Sequence, residues 1–225
     1  MLKKLQNREA RFHASETAPC LLQIVGDYCI ISHKKFKGVR VEGAIGLLPI
    51  YDDVVLNSKF NIGAVIVDRK AALADLHSGE LLTNFEYDKI SFEIDNHSII
   101  LYKGEKKCIY DVVKKEMIFD DFSDSIGIGR GNRYSWSYSQ SRGYTIIDHV
   151  TNKTHSLGTS IEECFDETNG HMFVIREGRV TMLDDEGYTD SLAYRKLLAS
   201  IGGRLNLHNS AHNVFVVADI YGRPI

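Results

Sequence analysis

Proline is scarce in this 225-residue chain, with 3 in all, and tryptophan occurs once. So little proline argues against a long linker or tail that resists packing. The 4 cysteines, Cys20, Cys29, Cys108 and Cys164, include no Cys-x-x-Cys pair, so neither a zinc site nor a disulfide frame is indicated. Buried, reduced thiols in a cytoplasmic protein are the expectation. No run approaches the roughly 18 apolar residues that would cross a bilayer. The basic start, Met1-Leu-Lys-Lys-Leu-Gln-Asn-Arg, lacks the apolar centre of a signal peptide. An excess of one charge is missing too. The 27 basic and 30 acidic side chains leave a net −3, which supplies no general attraction for nucleic acid. G-x-S-x-G, P-loop and H-E-x-x-H signatures are all absent, so no catalytic residue, metal or cofactor is expected.

What is present is a period. An apolar, β-prone run ending in Asp and followed by a polar turn recurs at Ala71–Asp75, Lys107–Asp111, Tyr144–Asp148, Val180–Asp184 and Phe215–Asp219. The closing aspartates are 36, 37, 36 and 35 residues apart. Asp accepts backbone N–H groups in a turn, and a Gly three residues on, as in Asp184/Gly187 and Asp219/Gly222, permits the reversal. Between these marks an aromatic-Asp pair recurs at Tyr51-Asp52, Tyr87-Asp88, Phe119-Asp120 and Phe165-Asp166. Alternating runs such as Ile90, Phe92 and Ile94 follow, the pattern of a half-buried strand. Hairpin tips are expected at Gly104 and Gly178. Because the repeated aspartates hold a fixed place in every unit, they are read as turn architecture.

A sixth unit is recovered at the front, since residues 30–42 align without a gap on 99–111. The chain then starts inside a unit and stops just past Asp219. The expectation is an all-β single repeat domain over residues 1–225, made of about six units of about 36 residues. Residues 1–26 would complete the last repeat, the strand at Leu21–Val25 lying against Val214–Asp219. Such a phase shift would close a ring and remove sheet edges, so a propeller-like ring is preferred over an open β-solenoid or a curled sheet of hairpins. One stretch leaves the β pattern. Residues 190–201 carry an N-terminal Asp, an apolar stripe at Tyr194, Leu197, Leu198 and Ile201, and Gly202-Gly203 behind, which predicts a short surface helix.

The unit at Lys70-Ala-Ala-Leu-Ala-Asp75, with Gly79, Leu81-Leu82 and Tyr87-Asp88, resembles the WG or KWG repeat of bacterial proteins, without its Trp-Gly pair. Arg179–Asp184 with Gly187 is the next best match, and the likeness runs over roughly residues 40 to 222. The resemblance implies an interaction scaffold of bacterial or phage origin and names no catalytic residue.

Among single features, His208 and His212 have i, i+4 spacing but lack a neighbouring Glu and lie between strand-like runs, so a polar loop is expected. His149 and His155 read as solvated loop residues. Gly127-Ile-Gly-Arg-Gly131 does not open a helix and reads as a mobile turn. The segment from Arg130 to Arg142 is different, with Arg130, Arg133 and Arg142 bracketing the only Trp. Tyr134, Trp136 and Tyr138 alternate with Ser135, Ser137 and Ser139, so a strand here would set rings on one face and hydroxyls on the other. Rigid rings and Arg forks dominate interaction hot spots, so these six Arg, Tyr and Trp residues are the predicted contact surface, with Trp136 as anchor. The competing expectation is that the rings fill the core.

The functional expectation is a non-catalytic, protein-binding scaffold, most concretely an immunity or inhibitor protein that occupies the surface of a toxin or defence protein. The alternatives are a small propeller-type enzyme or lectin-like module, and nucleic-acid binding through the Arg/aromatic stretch.

Overall fold

The computed structural model describes residues 1–15, 17–57, 59–93, 98–129, 131–166, 168, 170–184 and 189–225, the side chains of 93, 189 and 191 excepted. The chain is all-β apart from two short helices, and it divides into two compact units, Met1–Asp120 and Asp121–Ile225.

The first unit opens with helix α1 (Leu2–His13). Three antiparallel sheets follow. The first runs in order through β1 (Cys20–Val25), β2 (Tyr28–His33), β3 (Phe36–Val41) and β4 (Ala44–Tyr51). The second holds β5 (Asp53–Val55), β6 (Ile62–Val67) and β7 (Lys70–Asp75). The third holds β8 (Lys89–Glu93), β9 (Ser98–Lys103), β10 (Lys106–Asp111) and β11 (Glu116–Met117). Val39, Leu47, Val65, Val67, Ala72 and Leu76 are fully buried in a shared core.

The second unit also has three sheets. Its first holds β12 (Ser125–Ile128), β13 (Tyr134–Ser139), β14 (Gly143–Asp148) and β15 (Lys153–Gly158). The next holds β16 (Glu163–Cys164), β17 (Phe173–Arg176), β18 (Arg179–Leu183) and β19 (Thr189–Asp190). After helix α2 (Ser191–Ser200), β20 (Leu205–Asn209) and β21 (Val214–Ala218) form a two-stranded sheet. Every sheet is a meander of sequence neighbours, and none closes on itself.

The 36-residue period has two hydrogen-bonded causes. At the ends of β7, β10 and β14 and just after β21, an aspartate caps the following turn. Asp75 Oδ1 accepts from the backbone N–H of His77 and Ser78, both at 3.0 Å. Asp111 does the same for Val113 and Lys114, and Asp148 for Val150 and Thr151. Asp219 accepts from Tyr221 and Arg223. The expected turn role is what the structure shows for Asp75, Asp111, Asp148 and Asp219; the turn after Asp184, with Gly187, lies outside the described residues.

At the start of each first strand a second acid reaches the tip of the next hairpin. Asp52, Asp88, Asp124 and Glu162 each accept from the backbone N–H of the residue 16 positions on, Asp68, Gly104, Gln140 and Gly178, at 2.8–2.9 Å. In the last sheet Asp166 supplies this bond, to Ser210 at 3.0 Å. The aromatic-Asp register is therefore right for Asp52 and Asp88 and wrong at Asp120. The repeat resumes there at Asp124, because a two-residue strand and an added turn displace it.

Helix α2 forms where predicted. Asp190 accepts from the N–H groups of Leu192 and Ala193, and Tyr194 and Leu198 are buried beneath it, but Ile201 lies beyond the last turn and is exposed. Helix α1 was not expected. Residues 2–13 contain no Gly or Pro, and Leu5, Arg8 and Phe12 fall on one face, which packs on β4. Residues 1–26 thus form a helix and the edge strand β1, which pairs with β2. Cys108 and Cys164 are buried as expected; Cys20 is exposed on β1. His155 lies on β15, and His149 is hydrogen-bonded to Ser135 Oγ at 2.8 Å, so neither is a solvated loop residue.

Candidate partner-binding surfaces

The middle of the Arg/aromatic stretch, with its predicted anchor, lies in the interior of a sheet. It forms β13, an interior strand hydrogen-bonded to β12 on one side and β14 on the other. Trp136 is completely buried and Tyr134 nearly so, packed with Tyr144, Ile146, Cys164, Met172 and Val174. The intervening Ser135, Ser137 and Ser139 are buried as well, so alternation here separates two covered faces. Tyr138 is half-buried, its ring 4.9 Å from that of Tyr144. Arg133 is held by Asp148, with Nη2 to Oδ2 at 2.8 Å, and its guanidinium lies 4.7 Å from the Tyr134 ring centre. Arg142 is exposed and donates to Asp121 at 2.9 Å. Arg130 lies outside the described residues. With Trp136 and Tyr134 enclosed, the expected anchor fills the core, and neither of these two rings is open to a partner or to a base. Gly127 is corrected too: it sits within β12, directly opposite Trp136, and is no mobile turn.

Beneath the same rings lies a polar hub that sequence reasoning missed. Glu163 Oε1 accepts from Tyr144 Oη (2.8 Å), Asn209 Nδ2 (2.8 Å), His212 Nδ1 (3.0 Å) and the Cys164 N–H (2.9 Å). His212 stands edge-on to Trp136 and Tyr138, with centroids 5.5 and 6.2 Å apart. Asn209 also donates to the Cys164 carbonyl at 2.6 Å. Burial pushes the Tyr144 phenol well up, and the hydrogen bond to Glu163 adds to it. Burial likewise drives the Cys164 thiol well above its usual range. The hub ties β14, β16 and the β20–β21 turn together. One oxygen with four donors is engaged in holding structure, and a protonated phenol and thiol are poor nucleophiles. His212 is therefore a packed turn residue. The sequence signal for it was weak, because Glu163 and His212 are 49 positions apart.

The surface with chemistry to spare lies on the first unit. Helix α1, the β2–β3 hairpin tip and the β6–β7 tip enclose a cleft of about 710 Å³, lined by Lys4, Asn7, Arg8, Arg11, Lys34, Lys35, Phe36, Asp52 and Asp68. Lys4, Arg8 and Arg11 share a face of α1 by their i, i+4, i+7 spacing. Arg8 is nearly buried and spoken for. It donates to the Ile50 carbonyl (2.8 Å) and to Asp52 (2.9 Å), and its guanidinium covers the Phe36 ring at 4.2 Å. Lys4 pairs with Asp68, whose carboxyl is held below its usual range by that hydrogen bond. Arg11, Lys34 and Lys35 are exposed and have no ion pair among the described residues. Lys34 adopts φ 57°, a left-handed conformation that disfavours a lysine, at the turn that projects it.

Among the described residues no cluster of His, Cys, Asp and Glu could hold a metal, and no helix is long and apolar enough to cross a membrane. No protein-family model and no curated protein matches the chain. Solved structures similar to it in part include the N-terminal domain of Nup159, at 14% identity and TM-score 0.31 over 60% of this chain and 41% of that one. Hsv2p of Kluyveromyces lactis gives 10% and 0.29 over 76% of each chain. A eukaryotic initiation factor gives 8% and 0.35 over 93% of this chain and 64% of that one. The chain thus spans less than half the length of the first of these, and none of the likenesses carries an argument about what it does.

Proposed function

We propose that this chain is a non-catalytic, protein-binding scaffold that acts by occupying a partner's surface, with immunity to a toxin or inhibition of a defence protein as its concrete form. In this reading it is a cytoplasmic protein of the WG-repeat type, and residues 1–225 form one repeat domain. Its six sheets are the blades of a propeller-like ring, and residues 1–26 complete the last repeat. The observation that carries the binding role is the α1 cleft, lined by three exposed cations that have no ion pair among the described residues. Cations placed together without counter-charges repel one another and gain most when a ligand supplies those charges.

The test is capture from the host with the tagged full chain, compared with the variant Arg11→Glu/Lys34→Glu/Lys35→Glu. The wild type is expected to retain a specific protein that the variant loses at an unchanged melting temperature. Equal capture by both would remove the cleft from this reading.

A further inference from the structure

The α1 cleft combines free positive charge with features that narrow what can enter it. Its charges are five cations and two carboxylates, so the balance is positive but two anions remain fixed in the wall. Asp68 stays ionised because Lys4 bonds it, and Asp52 is bonded by Arg8 and by the Asp68 N–H. A ligand with dense, continuous negative charge would have to pass both.

The aromatic surface is closed as well. The Arg8 guanidinium covers Phe36 at 4.2 Å, and the Lys35 ammonium lies 5.5 Å from the same ring. Phe36 is the single ring among the lining residues, and two cations already lie over it, whereas single-stranded nucleic acid needs several open rings for its bases to stack on. A lipid headgroup layer calls for basic residues on a surface that can lie against the membrane plane. These cations line a concave site between a helix and two hairpin tips.

What fits is a narrow chain carrying separated single charges. Carboxylates on neighbouring residues of a peptide can reach Arg11 from one wall and Lys34 and Lys35 from the other. Arg11 can hold a carboxylate through two N–H groups, while the lysines act as point charges that tolerate varied approach. Asn7, on the α1 wall, can donate to a peptide carbonyl.

We infer that the α1 cleft receives an acidic peptide segment of the partner, its carboxylates pairing with Arg11, Lys34 and Lys35. This rests on the reading of the chain as a protein-binding scaffold and names the chemistry of that partner.

The test measures fluorescence anisotropy of a labelled ten-residue peptide of alternating Glu and Ser against the full chain, beside a labelled deca-thymidine oligonucleotide. The wild type is expected to bind the peptide more tightly than the oligonucleotide. Arg11→Glu/Lys34→Glu/Lys35→Glu should weaken peptide binding roughly tenfold or more, the scale for three exposed ion pairs acting together. Arg11→Gln alone should weaken it less, and raising salt should weaken it in the wild type. Reversing three exposed lysines that do not line the cleft, Lys59→Glu/Lys106→Glu/Lys114→Glu, should leave it within about twofold, because exposed charges are screened by salt. Tighter binding of the oligonucleotide, equal loss in both triple variants, or no peptide binding would each overturn the inference. If the peptide fails while a captured host protein is still lost with the cleft variant, the scaffold reading stands and only the acidic chemistry falls. If neither readout responds to the cleft variant, both fall.

Discussion

Gly127 stands directly opposite Trp136 across the β12–β13 ladder, and a Cβ at Gly127 would lie 2.4 Å from Cε2 and Nε1 of the indole. The only Trp of the chain occupies space that a missing side chain leaves open. Gly127→Ala is therefore expected to destabilise the second unit by about 1–3 kcal/mol through overpacking. Trp136→Ala should cost about 3–5 kcal/mol through the cavity it leaves. In the Trp136→Ala background, Gly127→Ala should become nearly neutral, because its obstacle is gone. A double-mutant cycle by urea denaturation reads this coupling directly. Trp136→Phe should be milder than Trp136→Ala, since the phenyl ring still fills part of the cavity, while both remove a buried indole N–H that has no acceptor among the described residues. Additive losses in the cycle would show that the two residues do not share one space.

That pair also shows what the sequence could and could not convey. The 36-residue period was legible because an aspartate makes the same side-chain-to-backbone turn bond at Asp75, Asp111, Asp148 and Asp219. Helix α2 was legible through its Asp190 cap. The fate of β13 was not. Aromatic and hydroxyl residues in alternation describe a strand with two unlike faces, and both faces of an interior strand can be covered. Ser135, fully buried and bonded to His149, reads the same in sequence as an exposed serine. The cleft was missed for a different reason: its walls come from residues 4–11, 34–36, 52 and 68, and only folding brings these together.

Asp75 gives a stability test with a definite sign. Partial burial works against its ionisation. The Ser78 N–H, the Lys115 ammonium and the His77 N–H outweigh that and hold its carboxyl down at about 2. A depressed folded-state value stabilises the fold fully above the ordinary 3.8, and the gain is lost as pH falls towards about 2. Asp75→Asn keeps an oxygen that can accept the turn N–H groups but cannot titrate. Its stability should therefore fall less steeply than the wild type's between about pH 4 and pH 2, by roughly 1–2 kcal/mol across the window. Asp75→Ala should cost about 1 kcal/mol at neutral pH. Parallel stability-versus-pH curves for wild type and Asp75→Asn would show that Asp75 contributes nothing through its charge.

The Glu163 hub predicts unequal effects from its members. Glu163→Ala strands the Tyr144 hydroxyl and His212 Nδ1 without their acceptor, and is expected to cost about 2–4 kcal/mol. Tyr144→Phe removes one donor of four and should cost about 1 kcal/mol. Thiol labelling of the folded protein reports the same packing. Exposed Cys20 should react first, and Cys164 only as the second unit opens. Rapid labelling of Cys164 in native buffer would mean that the hub is not closed.

The edge strand β1 tests the proposed ring. Leu21, Leu22 and Ile24 are 58%, 54% and 66% exposed, an unusual load of apolar surface for a sheet edge bearing no charge. The last sheet has only β20 and β21, where the others have three or four strands, and Phe215 on β21 is 69% exposed. Deleting residues 1–26 does not discriminate, because Leu5 and Arg8 anchor α1 within the first unit and their loss would destabilise that unit in any case. Leu22→Lys/Ile24→Lys is the sharper variant, since it changes only exposed positions and leaves the β1–β2 ladder in place. If residues 1–26 complete the last repeat, amide exchange at Val214–Ala218 should accelerate at least tenfold in this variant, although the substitutions are about 190 positions away in sequence. A tenfold change corresponds to about 1.4 kcal/mol of local opening free energy, within what two lysines forced into an apolar strand pairing would remove. Exchange at Tyr28–His33 should stay unchanged in both outcomes, since the β1–β2 and β2–β3 ladders are kept, and serves as the internal reference. Unchanged protection at Val214–Ala218 would mean that the two ends of the chain do not share a sheet, and the propeller-like ring would have to be given up.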